Sequence, residues 1–275
     1  MGIAYDAYVG GIRILDGPIT DILEARALSY QNQYVDIKSA SWGPKDDGAH
    51  MEYPGKFVNL ALEDGVANVS LLHFFKNFDS LTIDLLQGRN GKGTIFVWAS
   101  GNGGGNGDDC SCDGYVSNWN VISVGSINHR GLVPFFMEFC PSTIAVVYSG
   151  GTTSNRGDAD DPHVRVVATD VRGKCTDNFQ GTSSAAPLAA GAIALVLEAN
   201  PNLTYRDVMY LIAKTSRIPN LEDTNGWIIN GANYHVNDKY GFGVLDVGQL
   251  VQEAQSWKNV GPRYSCFVEY DKDYP

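Results

Sequence analysis

Cationic side chains are scarce in this chain of 275 residues: 20 Lys and Arg stand against 31 Asp and Glu, a formal net charge of −11. Such a chain lacks the positive field that neutralises phosphates, which excludes nucleic acid as the main partner and leaves room for a basic one. Long apolar runs are missing too. The longest, Leu188 to Leu197, is about half of what a membrane-spanning helix needs. The opening Met1-Gly-Ile-Ala leads straight into a strand-like pattern, so no signal peptide is expected there. The glycine-rich stretch 101–107 runs into Asp108-Asp109 and not into Gly-Lys-Ser/Thr, which argues against a phosphate loop. Cysteine is sparse and odd in number, five in all, so the chain cannot pair all its thiols internally.

What is present is a globular composition, 44% hydrophobic with 31 glycines for tight turns, enough for one large domain. The stretches Val9 to Leu15, Val35 to Ala40, Thr94 to Ala99, Val121 to Ile127 and Thr143 to Tyr148 read as strands. Helical spacing predicts helices over Pro18 to Tyr30 (capped by Thr20), Tyr53 to Ala67, Leu188 to Leu197, Tyr205 to Lys214 and Val247 to Trp257. Strands alternating with helices imply a mainly parallel sheet covered on both faces, with ligands beyond the C-terminal strand ends. Ser41, Asn102 and Ser183 all fall in loops after strands or at a helix start, the expected place for a single site. The Leu- and Phe-rich segment 68–87 interrupts this order. It reads equally as an extra helix, an edge hairpin, or sequence foreign to the mature protein.

The stretch Gly181-Thr-Ser-Ser-Ala-Ala-Pro187 delivers Ser183 to the start of the most apolar helix. An oxygen placed there sits in the positive field of the helix N-terminus, which suits one that becomes negative. For a lone serine, the plainer role is an N-cap. Pro187 is expected in the first turn, where amides have no intrahelical partner. Asn102, between glycines at a strand end, could offer its amide to an oxyanion, although Asn-Gly is more often simply a turn.

Six ordered strings go further. They are Gly-Gly-Ile-Arg-Ile-Leu-Asp (10–16), Ser-Ala-Ser-Trp-Gly-Pro-Lys-Asp-Asp-Gly (39–48), Ile-Phe-Val-Trp-Ala-Ser-Gly-Asn-Gly-Gly (95–104), Cys-Ser-Cys-Asp-Gly-Tyr (110–115), Gly-Thr-Ser-Ser-Ala-Ala-Pro-Leu-Ala-Ala-Gly (181–191) and Tyr-Gly-Phe-Gly-Val-Leu-Asp (240–246). Together they resemble the catalytic domain of the kexin/furin-type proprotein convertases, which are subtilisin-like serine peptidases. The resemblance implies a three-layer αβα fold over 1–258, lacking its N-terminal part, with 259–275 opening a downstream β-rich P-type domain. It implies Ser183 as nucleophile and Asn102 as oxyanion residue. Asp46 and Asp113 would lie at the base of the pocket for a basic side chain; Glu24, Glu52 and Tyr115 would line subsites further upstream. Carboxylates on a preformed cleft make charge-assisted, often bidentate hydrogen bonds to arginine. Ser41-Trp42-Gly43 resembles the edge along which an extended substrate pairs. Asp46, Asp108 and Glu138 match a calcium site, oxygen ligands drawn from separate loops. The resemblance also implies a disulfide between Cys110 and Cys140, a free Cys112, and partners for Cys175 and Cys266 outside the chain. It carries precursor proteins with basic residues as substrates, a monomer, and the secretory pathway. Asn68 and Asn202 open glycosylation sequons, whereas Arg156-Gly157-Asp158 reads as a chance cell-adhesion tripeptide.

One part of that pattern is not met. A peptidase of this type needs a histidine to take the serine proton and an aspartate to orient it. None of His50, His73, His129, His163 and His235 stands in a His-Gly-Thr context, and Asp16 matches a non-catalytic position. The expectation is a calcium-dependent endopeptidase, cutting after paired basic residues, with residues 1–275 inactive alone. The alternative is a non-catalytic binder of basic peptides, a pseudo-peptidase.

Overall fold

A computed structural model describes residues 2–66, 88–154, 164–219, 225–261 and 263. The centre is a four-stranded parallel sheet, β1 (Ile37–Ala40), β2 (Ile95–Ala99), β3 (Val121–Ile127) and β4 (Thr143–Tyr148), hydrogen-bonded in that order. The register sets Ile37 beside Ile95, Phe96 beside Val121 and Val124 beside Ala145. Every residue of β2 and β3 is buried. That is why β2 reads as an unbroken apolar run and β3 as one interrupted only by the small buried residues Ser123, Gly125 and Ser126: a parallel strand covered on two faces has no solvent side to show.

Helices flank the sheet. Helix α1 (Asp21–Ser29) is capped by the Thr20 side chain, which accepts from the Leu23 amide at 3.2 Å, as the sequence predicts. It packs on α2 (Lys56–Gly65), whose N-terminal amides at Phe57 and Val58 donate to Asp21. Buried Lys38 of β1 donates to the carbonyls of Leu28 and Tyr30 and to Asn32 Oδ1. Desolvation lowers its pKa to about 8, and the contacts lock the end of α1 to the sheet edge. Helix α3 (Thr182–Ala199) packs across all four strands. It is long and apolar enough to cross a membrane by length and composition, but half of it is buried inside the fold, as in a core helix. Helices α4 (Tyr205–Thr215) and α5 (Val247–Gln255) complete the described core.

Three expectations need correcting. Val9 to Leu15 forms no strand: Tyr8 and Val9 are almost wholly exposed, and Gly10-Gly11 raises the entropic cost of an extended segment that no neighbouring strand pairs with. Pro187 lies not in the first turn of α3 but in the second, because the helix begins at Thr182. A hairpin absent from the sequence reading joins β5 (Val166–Asp170) to β6 (Lys174–Phe179) just before α3. Segment 68–87, the Asn68 sequon, the 156–158 tripeptide, His73, His163 and Cys266 lie outside the described residues.

Past α5 the chain stays attached. The buried Asp207 carboxylate accepts from Trp257 Nε1, Asn259 Nδ2 and the Val260 amide at 2.7–3.0 Å, as well as from Thr204 in its own capping box. The hydrogen-bonded structure thus runs to Val260.

Candidate active site

The loops leaving β1 and β2 and the start of α3 converge on one cleft of about 280 Å³. Its walls include Ser41, Trp42, Gly43, Asp46, Asn102, Asp108, Asp113, Glu138 and Ser183, so residues up to 142 apart in sequence share one space. Glu24, Glu52 and Tyr115 are not among its walls.

Ser183 is the second residue of α3, and the N-cap is Gly181, which makes no side-chain cap bond. The hydroxyl is therefore not a cap. Gly181 has φ 103°, a conformation costly for any other residue, and a Cβ there would stand 3.1 Å from Asn102 Oδ1. Of the first-turn amides, that of Thr182 donates to Asn102 and that of Ser184 to the Gly181 carbonyl. The Ser183 amide has no partner among the described residues.

Asn102 is held by its oxygen. Oδ1 accepts from the Thr182 amide at 2.9 Å and from Thr182 Oγ1 at 3.0 Å. An amide N–H can only donate, so the oxygen assignment is forced and Nδ2 is the free end. A fixed donor beside a serine at a helix N-terminus can stabilise negative charge on a reacting carbonyl oxygen.

The misplaced proline has a consequence. A helix amide at 187 would bond to the Ser183 carbonyl; proline has none, so that carbonyl is left open. Ser41 Oγ donates to it at 3.3 Å and ties the β1 edge to the serine. Along that edge the Trp42 carbonyl accepts from Trp98 Nε1 at 2.6 Å, whereas the backbone groups of Ser41 and Gly43 have no partner among the described residues. Free groups at alternate residues are what an added strand needs.

Glu24 is 4% exposed and both its oxygens are engaged, Oε1 by Trp42 Nε1 at 2.6 Å and Oε2 by the Tyr115 hydroxyl at 2.9 Å. Its carboxylate thereby holds Trp42 and Tyr115 together. Tyr115 stacks on Trp98, and burial with the nearby Glu24 drives its hydroxyl pKa well up. Glu52 is exposed and bridges backbone to backbone with Asp113.

Asp113 stands against Gly43, where an added Cβ would lie 2.7 Å from its Oδ2. Desolvation raises its pKa to about 6, against two backbone amides that pull it down, and Asp46 and Asp108 add to the rise. Glu138 is pushed to about 8, first by burial and then by Asp108 and Asp46, although the Gly103 amide donates to it at 2.9 Å. Asp46 also accepts from the Asn102 amide at 3.3 Å and hydrogen-bonds with Glu138. The site is thus short of positive charge. Among the described residues, no three His, Cys, Asp or Glu side chains are gathered tightly enough to hold a metal outright.

Cys110 and Cys140 form a disulfide, as the resemblance implies, and Cys112 and Cys175 are free. The bond joins the loop of Asp113 to the segment of Glu138. Closing a 30-residue separation is worth about 3–4 kcal/mol. Cys140→Ser is expected to lower stability by about that amount in denaturant titration; an unchanged midpoint would show that the loops hold without it.

Among the described residues no histidine hydrogen-bonds to Ser183. His50 reaches the cleft wall but is paired with Asp47 at 2.7 Å.

A parallel α/β fold with a serine-centred, acid-lined cleft at its strand ends is the class these features define. The Subtilase family (Peptidase S8) matches residues 1–243, and the chain belongs to it. It is 45% identical over 272 residues to proprotein convertase subtilisin/kexin type 6 of Rattus norvegicus, covering 99% of this chain and 26% of that protein. To furin of Homo sapiens it is 42% identical over 269 residues, covering 98% of this chain and 30% of that protein. The chain therefore spans under a third of the length of these curated relatives. The crystal structure of a serine protease of Aeromonas sobria superposes with TM-score 0.74 at 18% identity, over 95% of this chain and 51% of that one, a likeness of fold.

Proposed function

We propose that the protein carrying this chain is a calcium-dependent serine endopeptidase that processes precursor proteins after paired basic residues. The observation that supports it is the single cleft holding Ser183, Asn102, Asp46 and Asp113. Ser183 attacks the carbonyl, Asn102 Nδ2 and the Ser183 amide receive the developing negative charge, and Ser41 and Gly43 hold the substrate backbone. Asp113 and Asp46 take the basic side chain; Glu24, Glu52 and Tyr115 line subsites further upstream, where Glu24 and Tyr115 also brace Trp42. The base that Ser183 needs comes from sequence outside these residues. The test is cleavage by the full-length protein of peptides differing only in the basic pair. Cleavage should follow the pair and vanish when both residues become glutamine, and residues 1–275 alone should not cleave. Equal cleavage of both peptides would contradict the proposal.

Asp46, Asp108 and Glu138 would hold Ca²⁺, which offsets the repulsion that raises Glu138. Without the ion, Glu138 ionises near pH 4.5 when unfolded and near pH 8 when folded. The unfolded chain then binds fewer protons between those values, so stability falls as pH rises through the window. In chelator the melting temperature should drop from pH 5 to pH 8, and calcium should flatten the drop. Parallel curves with and without calcium would remove the assignment.

A second reading, capture of basic peptides without cleavage, is favoured by the absence of a histidine bonded to Ser183 among the described residues. Binding without turnover by the full-length protein would select it. The Cys110–Cys140 bond suits an oxidising compartment, and we place the protein in the secretory pathway, as a monomer with the P-type domain opening near 259.

A further inference from the structure

Five acids line the cleft, Asp46, Asp108, Asp109, Asp113 and Glu138, and against them stands one lysine, Lys45. It is exposed and, among the described residues, makes no ion pair or hydrogen bond through its ammonium group. Both neighbouring acids are engaged elsewhere: Asp46 with the Asn102 amide and Glu138, Asp47 with His50 at 2.7 Å. The Asp47 amide donates to the Lys45 carbonyl at 2.9 Å, which fixes the turn that carries the lysine two residues beyond Gly43 on the substrate edge. His50, also on the cleft wall, is paired with the Asp47 carboxylate at 2.7 Å. Among the described residues the cleft wall therefore offers Lys45 as an uncompensated cation beside the edge to which an extended peptide would add.

We propose that Lys45 is a specificity-determining residue, selecting substrates with an Asp or Glu side chain flanking the basic pair. The inference rests on the peptide-cleft reading above. A partly exposed ammonium attracts a carboxylate and repels a further basic side chain, and discrimination draws on both effects. Such a contact at a solvated rim is worth about a five-fold preference, and it weakens with salt.

The test uses the full-length protein as its Ser183→Ala variant, so that peptides bind without turnover. Peptides with an Arg pair carry Glu, Gln or Lys at each flanking position in turn, and dissociation constants are read by fluorescence anisotropy. At one position the order should be Glu tighter than Gln tighter than Lys, by about five-fold per step at low salt. Lys45→Met should flatten the series and Lys45→Glu reverse it, both with unchanged melting temperature. Basic peptides that bind with no flanking preference, or a preference that survives Lys45→Met, would overturn the role of Lys45 alone. Failure of every basic peptide to bind would overturn the cleft reading together with it.

Discussion

Replacing Ser183 with alanine in the full-length protein is expected to lower kcat about a million-fold while the melting temperature stays within a few degrees. The size follows from triad enzymes, where removing the nucleophile costs about that much and leaves only the contribution of binding and oxyanion donors. The intact fold follows from the structure. The Ser183 hydroxyl caps nothing, and the contact from Ser41 goes to its backbone carbonyl, which alanine keeps. Steady-state kinetics on a dibasic peptide with a parallel thermal melt make the check. A variant retaining a tenth of the activity would remove Ser183 from the chemistry.

Asn102→Ala is expected to lower kcat by about two to three powers of ten with little change in KM, because the lost donor acts on charge that develops only in the transition state. The side chain also accepts two bonds from Thr182, so alanine alone mixes two roles. Asn102→Asp separates them, since it keeps an acceptor for Thr182 and has no amide donor. If the donor matters, Asp should be as poor as Ala in kcat while preserving the melting temperature better. An active Asp variant would show that Asn102 serves only to brace the start of α3.

What could be read from the sequence divides along a physical line. The strands β2 and β3 were legible because burial on both faces leaves only apolar and small residues in a row, and Thr20 announced α1 through its cap. Ser183, Asn102, Asp46 and Asp113 were legible as strings in register with a family, and the fold brings them into one cleft. Glu24 was not, because its engagement depends on Trp42 and Tyr115, 18 and 91 residues away. The place of Pro187 depended on where α3 begins, which a glycine at φ 103° decides and no periodicity reveals. The β5–β6 hairpin escaped notice because its exposed strand Lys174–Phe179 carries no apolar alternation. Val9 to Leu15 had the apolar pattern and lacked the neighbour, and a strand needs both.

The uncompensated acidity of the cleft links these points. Asp113 near 6 and Glu138 near 8 are carboxyls whose pKa a nearby positive charge would lower again. A basic side chain can supply that charge at Asp113 and a cation at Glu138.

The most direct test of the central claim, a serine nucleophile in a cleft for basic peptides, is covalent labelling of the full-length protein with an arginine-containing peptidyl phosphonate. Intact mass and peptide mapping then give the site. One adduct on Ser183, suppressed by excess dibasic peptide and absent from the Ser183→Ala variant, is the result this account predicts. No adduct, or one on another residue that basic peptide leaves unchanged, would contradict it.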